Sequence, residues 1–138
     1  MTGNYEHKID AKGRVFIPSD LRKQLGDVFH VMIFNEECIN VYPDSSWARL
    51  VDKVSALPIR KQSMMRPLFA NTSRCELDGQ GRFVLPLKLR EKIGLQKDVT
   101  IVGAGTLVQI WDTEKFNEIN EQESTPESIA AVLDELDF

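Results

Sequence analysis

The sequence lacks the features that mark membrane and secreted proteins. None of its apolar runs approaches the roughly 20 residues of a membrane-spanning helix, and its start, MTGNYEHKID, lacks the basic and then apolar layout of a signal peptide. We therefore expect a cytoplasmic protein without a membrane partner. Its 138 residues, 42% of them hydrophobic, suit one compact domain or two small halves that share a core.

Cysteine and histidine are scarce, with two residues of each. Cys38 and Cys75 form no C-x-x-C pair, which favours unpaired buried thiols over a metal or redox role. His7 and His30 have no partners at the spacing of metal ligands, so we interpret both as structural or surface residues. The sequence predicts no metal site and no cofactor.

Catalytic signatures such as G-x-S-x-G, the P-loop and H-E-x-x-H are missing as well. Asp10 and Asp78 could be imagined as a two-carboxylate site. Each is followed three residues later by glycine, however, and turn formation explains both at once. We therefore expect no catalytic residues, no enzyme activity and no small-molecule substrate.

The net charge of −4 conceals two regions of opposite sign. Residues 1–92 carry 15 Lys and Arg against 11 Asp and Glu, whereas residues 93–138 carry 2 against 10. A basic face can bind phosphate while an acidic tail keeps the chain soluble. A merely solvated tail would explain the acidic end but not the basic remainder.

What the sequence does contain is one segment that occurs twice. Asp10–Gly26, DAKGRVFIPSDLRKQLG, recurs 68 positions later as Asp78–Gly94, DGQGRFVLPLKLREKIG. The duplication predicts an internally pseudo-symmetric fold in which the tip of the unit acts twice. The seven identical pairs are Asp10/Asp78, Gly13/Gly81, Arg14/Arg82, Pro18/Pro86, Leu21/Leu89, Arg22/Arg90 and Gly26/Gly94.

Each copy begins with a predicted tight turn that presents an arginine. Aspartate at the first position and glycine at the fourth fit a type I turn followed by a left-handed residue, the usual three-residue hairpin loop. Asp10 and Asp78 can accept backbone N–H bonds there, and Gly13 and Gly81 can take positive φ without strain.

The pattern predicts that each unit is a β-β-α-β-β repeat, with a short helix after the proline and two strands after the helix. We divide the chain into a first repeat at 5–47, a helical basic connector at 48–75, a second repeat at 76–119 and an acidic C-terminal helix at 120–138. Pro67 should kink or restart the connector helix. Thr125 and Pro126 should begin the last helix. The helix predicted to begin near Asp44 or Ser45 should bury Trp47, Leu50, Val51, Val54 and Leu57.

Two copies of D-x-x-G-R, each followed by an apolar trio, proline and an L-R-x-x-[LI]-G helix, resemble the SpoVT–AbrB DNA-binding fold. The tandem arrangement and the start GNYEHKIDAKGRVFIP resemble the MraZ family, most strongly at residues 3–26 and 74–94. The resemblance implies a mixed α+β protein. Its core would be a double-split β-barrel of two β-β-α-β-β repeats with swapped hairpins, and additional helices would lie in the linker and at the C-terminus.

The resemblance also implies a function. Members of the family are transcriptional regulators that form rings and bind short, directly repeated promoter boxes of the division and cell-wall gene cluster. The implied partners are double-stranded DNA, including the protein's own promoter region, and further copies of the chain, and the implied location is the nucleoid. The alternative is an antitoxin-type or purely structural protein-interaction module of the same fold.

The family's D-x-x-x-R motif maps onto Asp10/Arg14 and Asp78/Arg82. A guanidinium group can bind a guanine edge or a phosphate, and Lys12 is most simply a phosphate contact. The competing interpretation is that each Asp–Arg pair only stiffens its turn. The residues that we predict to bind DNA are Lys12, Arg14, Gln80 and Arg82.

Other basic residues are harder to assign from the sequence. Gln80 stands where the first turn has Lys12, so the two halves should contribute unequally to DNA binding. For Arg22 and Arg90, on the short helices, we favour a packing role over DNA contact. The cluster from Arg60 to Arg66 either follows the DNA backbone or is a solvated helix face.

Overall fold

The computed structural model describes residues 1–35, 37–123 and 125–138. Its strands there are β1 (Asn4–Lys8), β2 (Arg14–Phe16), β3 (Val28–Met32), β4 (Ile39–Pro43), β5 (Ser73–Glu76), β6 (Arg82–Val84), β7 (Asp98–Gly103) and β8 (Val108–Asp112). Its helices there are α1 (Ser19–Leu25), α2 (Asp44–Ser55), α3 (Ile59–Met64), α4 (Arg66–Ala70), α5 (Leu87–Lys92), α6 (Thr113–Glu123) and α7 (Pro126–Glu135).

The strands form two antiparallel sheets that mix the two units. One sheet has the order β1-β7-β8-β4-β3-β5, and the other pairs β2 with β6. Exchanging β1–β4 with β5–β8 reverses the first order onto itself, so the duplication in the sequence is a pseudo-two-fold relation in the fold. The first strand of each unit pairs with a strand of the other unit: β1 pairs with β7, and β5 pairs with β3. The mixed α+β class with antiparallel sheets is confirmed.

Local sequence explains where the short helices begin and end. Pro18 has φ −53° and ψ 142° and precedes α1, and Pro86 precedes α5 with φ −54° and ψ 132°. Proline cannot donate to a β-ladder, so it ends the strand and suits the helix start. Gly26 then ends α1 with φ 81°, and its N–H donates to the Arg22 carbonyl.

The core is assembled from matching positions of both units. Leu21 and Leu25 on α1 are buried, as are Leu89 and Ile93 on and beside α5. Side chains from different units also meet directly. The rings of Phe29 and Phe83 pack edge to face, with centroids 4.9 Å apart. The two halves therefore share one core.

The connector confirms one prediction and corrects another. A new helix, α4, starts at Arg66 and has Pro67 in its first turn, as expected. The predicted buried face of α2 is wrong in part. Val54 is buried and Trp47 and Leu50 are half-buried, but Val51 is exposed, as is Leu57 just beyond the helix. The 3-and-4 spacing identified one apolar face, but α3 and α4 cover it incompletely.

The C-terminal part forms two helices, α6 and α7, in the described residues. Thr125 caps α7, because its side chain accepts from the Ser128 N–H and the Ser128 side chain accepts from the Thr125 N–H. This capping arrangement confirms the predicted start of the last helix. Across the described ranges, every helix is too short or too polar to cross a membrane.

Candidate nucleic-acid interface

The first turn is built around the Asp10 carboxylate. Its Oδ1 accepts hydrogen bonds from the backbone N–H groups of Lys12 and Arg14, both at 2.9 Å. Its Oδ2 accepts from Arg14 Nε at 2.6 Å. The Gly13 N–H donates to the Asp10 carbonyl at 3.0 Å, and Gly13 has φ 77°. The left-handed glycine that the sequence predicts is confirmed.

The second turn repeats this arrangement with a looser side-chain bond. Asp78 Oδ1 accepts from the N–H groups of Gln80 at 2.8 Å and Arg82 at 3.0 Å. Arg82 Nε lies 3.3 Å from Asp78 Oδ2, and Gly81 has φ 75°. Both aspartates are therefore turn-forming groups that also orient an arginine.

These bonds hold both aspartates in the ionised state. The Arg14 backbone N–H is the main cause that lowers the pKa of Asp10, partly offset by desolvation. The N–H groups of Arg82 and then Gln80 lower the pKa of Asp78. A carboxylate that accepts several N–H bonds is stabilised in its charged form. Each arginine therefore keeps a charged partner at neutral pH.

Both arginines lie on the same face of the β2–β6 ribbon. Arg14 pairs with Val84, Val15 with Phe83, and Phe16 with Arg82. Val15 and Phe83 point into the core, so the residues on either side of them point outward. Arg14 and Arg82 are diagonal neighbours on that outer face, with Cα atoms about 7–8 Å apart. The two units thus present a single site.

The guanidinium groups keep their outer ends available. Nε of each arginine is bound to its aspartate, but within the described residues Nη1 and Nη2 of Arg14 and Arg82 make no hydrogen bond. The side chains are partly exposed, at 28% for Arg14 and 30% for Arg82. An oriented fork with two free amino groups suits a guanine edge or a phosphate.

Arg22 and Arg90 border the same face, which we did not predict from the sequence. Arg22 Nε donates to the Ile17 carbonyl at 2.8 Å, and its Cζ lies 4.9 Å from the centroid of the Phe16 ring. Arg90 Nε donates to the Leu85 carbonyl at 3.0 Å. The sequence feature that could have indicated this is the recurrence of both arginines in the duplicated segment. We call the outer side of the ribbon the arginine face, formed by Arg14, Arg22, Arg82 and Arg90.

The structure also places the other predicted site residues. Lys12 and Gln80 are exposed, each in its own turn before β2 or β6. Only their backbone N–H groups bind the aspartates, so both side chains are available to a ligand. The arginine face has four guanidinium groups against the two turn carboxylates, which makes it electropositive.

In the described part of the chain, the thiols and possible metal ligands form no further site. Cys38 and Cys75 are free and buried, as predicted. Burial raises the pKa of Cys38 to about 12 and that of Cys75 to about 11, so both remain protonated at neutral pH. Among the residues that the structure describes, no group of three His, Cys, Asp or Glu residues could hold a metal ion.

Comparison with known proteins identifies relatives along almost the whole chain. The family model described as "MraZ protein, putative antitoxin-like" matches residues 1–66 and 68–136, one match for each half. A transcriptional regulator MraZ of Heliobacterium modesticaldum is 40% identical over 140 residues, which cover 99% of this chain and 98% of that protein. The protein of the same name from Syntrophomonas wolfei is 41% identical over 97% of this chain and 96% of its own. The one from Carboxydothermus hydrogenoformans is 45% identical over 83% of this chain and 82% of its own.

Proposed function

This chain belongs to the MraZ family, and we propose that it is a transcriptional regulator that binds double-stranded DNA through the arginine face. The observation that carries the proposal is the placement of Arg14 and Arg82 on one outward face of the β2–β6 ribbon, each with Nη groups that make no hydrogen bond to any described residue. The names of its relatives as transcriptional regulators support it.

The shape of the ribbon suits the major groove of DNA. That groove admits a two-stranded β-ribbon, and an arginine there can donate two hydrogen bonds to guanine O6 and N7. The flanking outward residues, Phe16 and Val84, are apolar and can contact a thymine methyl group. The salt bridges do not compete with this role, because Asp10 and Asp78 bind Nε and orient the rest of the guanidinium group.

The two turns should make different contributions. Lys12 adds a positive charge beside Arg14, which suits a phosphate oxygen, whereas Gln80 adds an uncharged donor and acceptor beside Arg82. Glutamine can also pair with adenine N6 and N7. One subunit therefore reads DNA asymmetrically, which fits boxes that are repeated directly rather than as palindromes.

A single ribbon neutralises few phosphates, so one subunit should bind one box weakly at physiological salt. We propose that several subunits assemble as a homo-oligomeric ring and bind successive boxes. The second and later contacts are then intramolecular, which raises avidity by about 10²–10⁴ without new contacts. The target that the family resemblance suggests is the promoter of the division and cell-wall gene cluster, including the protein's own promoter, in the nucleoid.

We also propose that the two sheets close into a double-split β-barrel. The support comes from backbone hydrogen bonds that link the units beyond the strand pairs. The Ile17 N–H donates to the Gly81 carbonyl and the Leu85 N–H to the Gly13 carbonyl, both at 2.9 Å. Closure would fix the ribbon rigidly on the core.

The experiment that tests this function is a footprint on the DNA upstream of the chain's own gene. We expect protection of short direct repeats. Affinity should fall steeply when boxes are removed or when their spacing changes by half a helical turn, and also as salt is raised. Uniform protection along the DNA, independent of box number, contradicts the proposal.

A second candidate is the antitoxin-type or structural protein-interaction module. It is favoured by the "putative antitoxin-like" wording of the family description and by the exposed apolar side of α7. The two candidates differ in a simple assay. A regulator should bind promoter DNA as the purified protein alone, whereas an interaction module should not.

A further inference from the structure

Helix α7 carries an apolar stripe that its own chain leaves uncovered. Every described residue from Thr125 to Phe138 is exposed. Four large apolar side chains at 3-and-4 spacing share one side of the helix, which is typical of a helix that packs against a partner. These residues and their exposed fractions are Ile129 52%, Val132 53%, Leu133 40% and Leu136 65%.

Elsewhere in the fold, helices α2, α3 and α4 enclose an open groove of about 710 Å³. Apolar side chains of Val51, Val54, Ile59 and Phe69 line it, and Arg66 is the one charged residue of its described lining. Ile59 is 81% exposed although it sits in this lining. An incompletely covered apolar groove with a cation at its wall suits an acidic amphipathic helix.

The charges of the two regions are complementary. Residues 53–75 contain five Lys and Arg and no Asp or Glu, whereas residues 116–138 contain seven Asp and Glu and no Lys or Arg. Glu135 flanks the apolar stripe of α7, as Arg66 flanks the apolar wall of the groove. Opposite potentials of this kind favour one partner and fix its register.

We propose that α7 of one subunit docks in the α2–α3–α4 groove of a neighbouring copy of the chain. The contact joins two different surfaces, so it is head-to-tail, and such contacts generate rings when the rotation closes. The inference rests on the homo-oligomer of the proposed function and names the contact that builds it. It also assigns the basic connector to assembly rather than to DNA.

The test uses sedimentation to compare two substitutions that each introduce a negative charge on α7. Leu133→Asp lies in the stripe, and Ala131→Asp lies on the opposite side of α7. We expect Leu133→Asp to raise the protein concentration of half-assembly about tenfold or more, because an apolar contact is lost. Ala131→Asp should assemble like the wild type. Equal assembly of the two variants overturns the docking.

Charge reversal tests the partner surface. Arg66→Glu and Glu135→Arg should each weaken assembly, and the doubly substituted chain should recover it, whereas Arg49→Glu, elsewhere on α2, should have little effect. If Arg66→Glu instead lowers the affinity of one subunit for one box and leaves assembly unchanged, the connector binds DNA and the inference fails.

The outcomes also separate this inference from the proposed function. If the wild type forms a ring and the Leu133→Asp variant forms it equally well, only the docking of α7 is overturned. A wild-type chain that sediments as a 15.7 kDa monomer overturns the ring itself. The Leu133→Asp chain should keep the wild-type affinity for a single box and lose the avidity for several boxes.

Discussion

Arg90 of the second unit lies directly over Gly13 of the first. A Cβ atom placed on Gly13 would come within 2.7 Å of Arg90 Nη2, and one placed on Gly81 would come within 2.6 Å of Arg22 Cζ. Each turn is therefore packed against an arginine from the other unit. This explains why both the glycine and the helix arginine recur in the duplicated segment. It supports the packing role favoured for Arg22 and Arg90, which add positive charge to the arginine face while Arg14 and Arg82 are the proposed DNA contacts.

We predict that Gly13→Ala destabilises the protein more than Gly94→Ala does. Both glycines have positive φ, 77° and 66°, so both substitutions cost about 1 kcal/mol in backbone strain. Only at Gly13 does the new methyl group also meet a side chain, because no described atom lies within 4 Å of a Cβ at Gly94. Chemical denaturation of the two variants measures the difference in unfolding free energy.

The clash with Arg90 can be isolated by a double-mutant cycle. If the guanidinium group causes the extra loss, Gly13→Ala should cost less in an Arg90→Ala background than in the wild type. If the changes in unfolding free energy are strictly additive, the Arg90 side chain moves aside without cost. Backbone strain alone then explains the loss of stability in Gly13→Ala.

A second prediction concerns Asp10. Asp10→Asn should keep the turn, because the amide oxygen can still accept from the N–H groups of Lys12 and Arg14, whereas Asp10→Ala leaves both donors without this partner. We expect Asp10→Ala to be clearly less stable than the wild type and Asp10→Asn to lie between the two. Thermal melts of the two variants measure this.

DNA affinity should respond differently from stability. Asp10→Asn removes the charge that orients Arg14 Nε, so DNA binding should weaken even though the fold is kept. An Asp10→Asn protein with wild-type affinity would mean that the carboxylate serves the turn alone.

A third prediction concerns pH and His30. The ring is buried and stacks on Trp47 at 4.9 Å, and its Nδ1 lies 3.7 Å from Asp44 Oδ1 without a hydrogen bond. Desolvation lowers the pKa of His30 below 6.5, with the attraction of Asp44 opposing it and the charge of Arg74 reinforcing it. The unfolded chain then binds this proton at higher pH than the folded chain does. The stability that the neutral His30 ring contributes is therefore present above pH 6.5 and is lost as the pH falls below that value.

The pH effect is measured by unfolding the wild type and His30→Phe between about pH 7 and pH 5. We expect the wild-type unfolding free energy to fall with pH more steeply than that of the variant, which keeps an aromatic ring beside Trp47. His7 is present in both chains, so its contribution cancels. Parallel curves contradict the assignment to His30.

The sequence predicted the local features well because they depend on a few neighbouring residues. The positive φ of Gly13 follows from its place in the turn, and the restart at Pro67 and the cap at Thr125 follow from proline and threonine chemistry. Each of these features depends only on residues that are close together in the sequence. The hydrogen bond from Arg14 to Asp10 could also be predicted from the sequence, because the two residues are four positions apart.

The sequence pattern by itself did not show which strands pair. Alternating polarity identifies β1 and β2 but says nothing of their partners β7 and β6, whose paired residues lie 90–98 and 66–70 positions away. For the same reason, Arg14 and Arg82 looked like the tips of two separate hairpins, and the packing of Arg90 on Gly13 was invisible. The 3-and-4 pattern of α2 showed an apolar face but not the incomplete cover that leaves Val51 exposed.

The most direct test of the account is the affinity of promoter DNA for Arg14→Ala and Arg82→Ala, measured by fluorescence anisotropy. Arg74→Ala is the matched control, since Arg74 is also ion-paired, to Glu76 at 2.7 Å, but lies on β5, which pairs with β3 in the other sheet and not with the ribbon. We predict that each ribbon variant loses about 1–3 kcal/mol of binding free energy, or about 5- to 150-fold in Kd, with fold and assembly intact. Arg74→Ala should bind almost as the wild type does. Wild-type affinity in both ribbon variants would contradict the claim that the arginine face recognises DNA.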